Sequence, residues 1–339
     1  MPLSTSRRAL GASIAAFAVF MVGAQAQTPL KPFKLGISAP VVTVLPVWLG
    51  DAGGFFEKNG LKVEVISMEG GTRGTQVLLS GEIQAMHVGL SPVVQANAAG
   101  ADLRSVVSSS NKLPITIFTA KKYDPPLPRG AKFGISTFGS ETDIAISILL
   151  PKLGMTRNDI EITQVGGTGQ RYAALIAGRL EVAPLLEPAI TQAKGRGFIP
   201  IFDLSESGDA WIFDSVVVSK AWLDANRDVM QRFVRGYMEG AWWGLKEEAK
   251  AKELIATKFK TQDKVVIDAT YAEFKKLMPL DGRPSADGAR NVLTQLEALK
   301  VPVKSTKVED YVDYGPLDQL DKDGFFAGLE QKYGMKIAR

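Results

Sequence analysis

The chain carries one histidine, His87, and no cysteine. That excludes thiolate nucleophiles, disulfides, thiolate metal sites and a lipidated N-terminal cysteine. A lone histidine cannot complete a metal cage, and there is no Gly-x-Ser-x-Gly elbow. What remains is a set of hydroxyls beside glycine or proline: Gly70-Gly71-Thr72, Ser91-Pro92, Gly139-Ser140-Glu141-Thr142 and Gly166-Gly167-Thr168-Gly169. Residues of these types open helices. Ser91 would cap a helix with Pro92 at its first position, and Ser140 with Asp143 makes a capping-box spacing. A helix start leaves N–H groups unpaired and a partial positive charge. Glycine lets a ligand approach the backbone. Several such ends facing one crevice would hold a carboxylate, sulfonate or phosphate head group.

The candidate ligand contacts are therefore Val42, Thr43, Gly71, Thr72, Ser91, Gly139, Ser140, Thr142, Thr168, Gly169 and Glu187. Arg73 and Arg171 could pair with an anion bidentately, or be solvated or salt-bridged. Glu69, Glu141 and Glu187 cut the other way, since they would suit an amine or a ring nitrogen. Ligand charge is open on the residues alone. Trp48, Trp211 and Phe213 read as core, with stacking on a ligand as the alternative. His87 reads as a packed strand residue. Trp242-Trp243 read as packing on a helix. No catalytic residue, cofactor or metal is assigned.

The elements that must position these loops follow a βαβα rhythm. Strand-like runs fall at 34–38, 61–68, 83–89, 103–108, 115–120, 132–137, 160–165, 180–185 and 215–219. Helix-like runs fall between them at 46–56, 73–79, 92–99, 140–153, 170–177 and 188–194. Such alternation argues for mainly parallel sheet with helices on its faces. In open sheets of this kind ligands bind beyond the carboxyl ends of the strands, where the hydroxyl–glycine loops lie. After Asp224 the character turns helical, at 228–248, 249–258, 264–277 and 286–299. Asp124-Pro125-Pro126-Leu127-Pro128 reads as a turn after a connecting strand. Gly70 and Gly166 each begin a Gly-Gly-Thr triplet 22 residues before a proline, Pro92 and Pro188. The segments between read helix, glycine, strand, helix in both copies. Two related lobes would produce this spacing.

The N-terminus reads as a cleavable signal peptide, residues 1–26. Arg7 and Arg8 precede an apolar run from Leu10 to Val22, and Ala24-Gln25-Ala26 offers a cleavage site before Gln27. The run is shorter than the roughly 20 residues that span a bilayer. The expected location is the periplasm, without a lipid anchor. Formal net charge is +4, of which Arg7 and Arg8 supply two. The remainder shows no clustered lysine and arginine of the kind nucleic-acid binding needs.

The run Pro46 to Leu103, with Gly54-Phe55-Phe56, Gly60-Leu61 and Val63, then Leu78, Gly81 and Ile83, resembles the opening lobe of the sulfonate, taurine and nitrate class of importer-linked binding proteins. The stretches Phe133 to Met155, Ala173 to Gly197 and Val216 to Trp243 resemble the rest of that family. The resemblance implies an α/β, two-lobed type II periplasmic binding protein fold, each lobe a mixed, mainly parallel sheet flanked by helices. It implies lobe I at 33–113 plus 224–335 and lobe II at 114–223, closing over a small molecule. It further implies an ABC permease and its ATPase as partners, a monomer and no catalysis. The position of His87 is often acidic in that family. The competing expectation is an enzyme on the same fold, a lyase, dehydratase or pyrimidine-precursor synthase, with Glu141 or Glu187 as its acid or base. The related synthases carry a cysteine-rich run that this chain lacks.

Overall fold

The computed structural model describes Met1 and residues 29–119 and 127–338. The signal-peptide expectation and the Asp124-Pro125-Pro126 part of the turn lie outside these residues. Among the described residues, ten strands form two five-stranded sheets. They are β1 (Lys31–Ile37), β2 (Leu61–Ser67), β3 (Ala85–Val88), β4 (Leu103–Ser110), β5 (Thr116–Thr119), β6 (Ala131–Ile135), β7 (Ile160–Gln164), β8 (Val182–Leu185), β9 (Ile199–Asp203) and β10 (Asp214–Ser219). The first sheet has the order β2-β1-β3-β10-β4 and the second β7-β6-β8-β5-β9. In each, the three strands of the repeated unit are parallel, and one strand arriving from the other half runs antiparallel to its neighbours. The repeat spacing in the sequence thus corresponds to β2-β1-β3 and β7-β6-β8, with helices Gly71–Ser80 and Thr168–Ile176 in matching places.

One boundary differs from expectation. β10 falls inside the range 114–223 given to lobe II, yet it pairs with β3 and β4 of the first sheet. The physical reason is its composition: Val216, Val217 and Val218 are all buried, and a place between β3 and β4 hides both faces of such a strand. The chain therefore returns to the first half before β10, not after it.

Helix Arg227–Lys246 locks the first half together. It lies across helix Leu45–Ala52, and its glycine face permits the approach. A Cβ on Gly240 would stand 2.4 Å from the Gly50 amide nitrogen, so only glycine lets the two backbones come this close. Phe233 on the same helix stacks on Phe33 and Phe56 at 4.6 and 5.1 Å between ring centres. Trp242 is fully buried and donates to the Leu280 carbonyl at 2.8 Å; Trp243 is half-buried beside Phe55. Among the described residues no helix is long and apolar enough to cross a membrane.

Candidate functional site

The carboxyl ends of both parallel units point at the same crevice, and the helices that follow them start there. The starts of helices Gly71–Ser80, Leu90–Ala98, Glu141–Lys152 and Thr168–Ile176 all contribute to one cavity. It holds about 50 Å³, and one water needs roughly 10–15 Å³ of such space, so a few water-sized groups fit. The first half supplies Ser38, Ala39, Gly71, Val88, Gly89 and Pro92; the second supplies Ser136, Ser140, Thr142, Gly167, Thr168 and Arg171. Val41, Glu141, Leu186, Phe213 and Asp214 complete the wall.

Three charged groups of the wall are almost wholly buried. Arg171 is 1% exposed. Its Nε donates to the Pro184 carbonyl and its Nη2 to Thr168 Oγ1, each at 3.0 Å, and its Nη1 donates to the Gly166 carbonyl. Burial pushes the guanidinium down to about 9, against the pull of Glu69, so it remains charged at neutral pH. Glu141 opens its helix from the second half and reaches across the crevice. Its Oε1 accepts from the Ser91 amide at 2.8 Å, and its Oε2 accepts from the Trp211 indole at 2.9 Å. Asp214, at the head of β10, accepts from the Thr43 hydroxyl through Oδ2. Burial pushes both carboxyls up to about 7, and in Asp214 the nearby Glu141 adds to the rise.

His87 stands behind Asp214, with Nδ1 3.9 Å from Oδ2. Burial pushes its imidazole down to about 3, so it is neutral and this contact is no ion pair. Its Nε2 meets Ser109 Oγ at 3.0 Å. The expectation of a packed strand histidine agrees with this burial in β3.

The Asp214 proton has a consequence for stability. Below pH about 4 the folded and unfolded chains both hold it; between about 4 and 7 only the folded chain does. Stability therefore falls as pH rises through that window and stays lower above it. Asp214→Asn cannot ionise and escapes the loss. Relative to the parent it should gain up to about 4 kcal/mol between pH 4 and pH 8, at about 1.4 kcal/mol for each of the three pH units of that window, measured by urea unfolding at both values. An unchanged difference would show that Asp214 titrates as an ordinary surface acid.

Of the candidate ligand contacts named from the sequence, Gly71, Ser140, Thr142 and Thr168 line the cavity. Ser136, Ser140 and Thr142 form a triangle of hydroxyls 2.8 to 3.0 Å apart. Ser140 is the helix N-cap by position, but its hydroxyl joins this triangle and makes no cap bond; Asp143 instead accepts from the Gly139 amide at 2.8 Å. Ser91 is not the cap either, because its helix begins at Leu90 and its amide is taken by Glu141. Thr72 and Gly139 lie outside the cavity wall and join the two halves: Thr72 Oγ1 donates to the Phe138 carbonyl at 2.9 Å, and Gln95 Nε2 donates to the Gly139 carbonyl at 2.7 Å. The Val42 amide donates to the Glu187 carbonyl at 3.2 Å, and the Glu187 carboxylate is spent on Thr191. Thr43 is buried against Asp214. Gly169 lies in an outer groove with Glu69 and Tyr172. Phe213 lines the cavity, Trp211 anchors Glu141, and Trp48 packs on Phe259. The sequence reading did not single out Asp214. Its one signal was an acid leading directly into Ser-Val-Val-Val, a position where a carboxyl must enter the core.

Comparison with known proteins places this geometry. A Bacillus subtilis (strain 168) protein named as an aliphatic sulfonates-binding protein is 23% identical over 247 residues, 70% of this chain and 73% of that one. A solved structure from Bordetella bronchiseptica RB50 superposes with a TM-score of 0.79 at 19% identity, covering 90% of this chain and 98% of the other. The periplasmic aliphatic sulphonate binding protein SsuA of Escherichia coli superposes with a TM-score of 0.63 at 17% identity, covering 83% and 97%. These likenesses carry the two-lobed binding-protein fold. The family model described as NMT1/THI5 like matches residues 42–251, about three fifths of the chain, and the chain belongs to that family.

Proposed function

We propose that this chain is the extracytoplasmic solute-binding component of an ABC importer, taking a small oxyanion of the sulfonate, carboxylate or nitrate kind between two lobes. The observation that carries this reading is the convergence of four helix starts and the buried Arg171 on one cavity walled by both halves. The apolar wall formed by Val88, Leu186 and Phe213 suits a ligand with an apolar body behind its head group. The relatives' names, sulfonate-binding among them, support the same class. On this reading the chain works in the periplasm as a monomer after removal of residues 1–26. It delivers its ligand to a permease and ATPase, and it catalyses nothing.

The test is thermal unfolding of refolded, ligand-stripped protein against alkyl and aryl sulfonates, nitrate, aliphatic and aromatic carboxylates, and amines. A ligand at 100 times its Kd should add about 2.7 kcal/mol. A shift confined to an anionic class is the expected result. A shift confined to amines overturns the anion class. A second reading, an enzyme on this fold, draws on Glu141 and Asp214, whose carboxyls at about 7 are poised for general acid–base work. Recovery of the bound compound chemically changed would replace the first reading with the second.

A further inference from the structure

Two buried carboxyls face the cavity that an oxyanion is to enter, and they are not equivalent. Both oxygens of Glu141 already accept N–H donors, which favours its ionised form. Asp214 uses Oδ2 for the Thr43 hydroxyl, while Oδ1 takes no hydrogen bond among the described residues although the side chain is almost wholly buried. Oδ1 is not one of the fully enclosed atoms without a partner, and Asp214 lines the cavity, so this oxygen opens onto the space a ligand would fill.

The groups packed round Asp214 narrow what that is. Glu141 is the nearby acid, and each of two carboxylates resists the other's ionisation. The His87 imidazole is neutral and supplies no positive charge. The Tyr237 hydroxyl is fully buried, and burial raises it, so it stays protonated. Arg171, in the cavity wall, is the one buried cation among the described residues. An oxyanion held by Arg171 and the helix starts would meet repulsion from an ionised Asp214 and a hydrogen bond from a neutral one.

We propose that Asp214 is the proton-carrying contact of the cavity: its Oδ1 takes a proton from solvent as an oxyanion binds and donates that hydrogen to a ligand oxygen. The inference rests on the oxyanion reading given above and adds the residue that sets its selectivity. Binding and proton uptake are then one equilibrium. Affinity for the anion falls about tenfold per pH unit above the titration of the pair. A fully ionised dianion and a cation are both handled differently from a monoanion, the first by repulsion, the second by an opposite pH slope.

The experiment is titration calorimetry of the mature chain with benzoate, methanesulfonate and nitrate between pH 7.5 and 8.5, each in two buffers of different protonation enthalpy. That range lies below the loss of charge by Arg171, at about 9. Expected for the anion that binds is a Kd about tenfold weaker at pH 8.5 than at 7.5 and a heat that changes with the buffer. Asp214→Asn, with Asp214→Ser in reserve should it not fold, should flatten the pH slope to less than about threefold, the sign that the titrating group has gone. Anion binding by the parent with no pH slope and no buffer-dependent heat overturns the proposal and leaves the oxyanion reading standing. A slope that survives both substitutions overturns the assignment to Asp214. Failure of every anion, or binding of benzylamine with release of protons, overturns the oxyanion reading and the proposal together.

Discussion

Arg171→Ala is expected to cost about 3–5 kcal/mol of stability, the size seen when a buried charged network loses a member. The guanidinium is 1% exposed and ties three acceptors from separate segments: the Pro184 carbonyl in β8, the Gly166 carbonyl before the helix, and Thr168 Oγ1 within it. Truncation leaves these buried acceptors unpaired, at roughly 1–3 kcal/mol each before any relaxation. Arg171→Lys is the discriminating control. It keeps the charge, but one ammonium cannot reproduce the planar fork that reaches all three, so it should recover less than half the loss. Urea unfolding at pH 7.5 of the parent and both variants decides it. A loss below about 1 kcal/mol for Arg171→Ala would mean the Gly166–Thr168 loop holds itself without the guanidinium.

That result bears on how anions are recognised here. The sequence suggested Arg171 either as a direct bidentate partner or as a solvated side chain. The structure spends three of its N–H donors on the protein, so its contribution to a ligand is chiefly the positive charge it places in the wall. A fixed, buried cation of this sort costs no reorganisation when an anion arrives. Thr168 is held the same way, with its hydroxyl already accepting from Arg171.

Most of the fold was legible because two periods coincide. Buried β-branched runs mark strands, glycines close the helices, and the Gly-Gly-Thr spacing repeats. Where this failed, the reason is local. β9 was missed because Ile199-Pro200-Ile201 carries a proline, which argues against a central strand; it is an edge strand, where a missing N–H is tolerated. The placement of β10 was missed because a strand's sheet depends on partners far away in sequence, Ser108 and Met86 among them. Three helices, Lys220–Ala225, Gly315–Lys322 and Phe325–Tyr333, carry too few turns for periodicity to show.

The site was legible at the level of loops and not of side chains. Helix-start chemistry picked out Gly71, Ser140, Thr142 and Thr168. It also picked out Thr72 and Gly139, which sit in the same loops but face the seam between the halves. A loop's position follows from element order; which of its residues turns inward follows from the crossing strands and from Glu141, which enters the other half. No local pattern encodes that. Asp214 shows the same limit, since the cost of burying its carboxyl is set by Thr43, Glu141 and His87, none of them within 70 residues.

Gly89→Ala is expected to weaken ligand binding about 100-fold, equivalent to roughly 2.7 kcal/mol and within the range for overpacking a filled site. Gly89 has an ordinary backbone conformation, φ −69°, so alanine is not resisted by the chain itself. Space resists it. A Cβ there would lie 2.3 Å from Glu141 Cγ, 2.5 Å from Glu141 Oε1 and 2.6 Å from the Phe213 carbonyl oxygen. Glu141 is the side chain that crosses from the second half to the Ser91 amide, so the methyl group falls between the two halves where they meet. Glu141 can move only by giving up its bonds to Ser91 and Trp211, while the Phe213 carbonyl is backbone and can move only with the start of β10. The expected outcome is a folded protein, with its unfolding midpoint lowered by a few degrees, that binds the parent's ligand about 100 times more weakly and scatters X-rays with a larger radius of gyration in its presence. Glu141→Ala in the same background removes the main obstacle and should recover part of the affinity. Full affinity in Gly89→Ala alone would mean that the halves do not need this contact to hold a ligand, and that closure is set elsewhere along the seam.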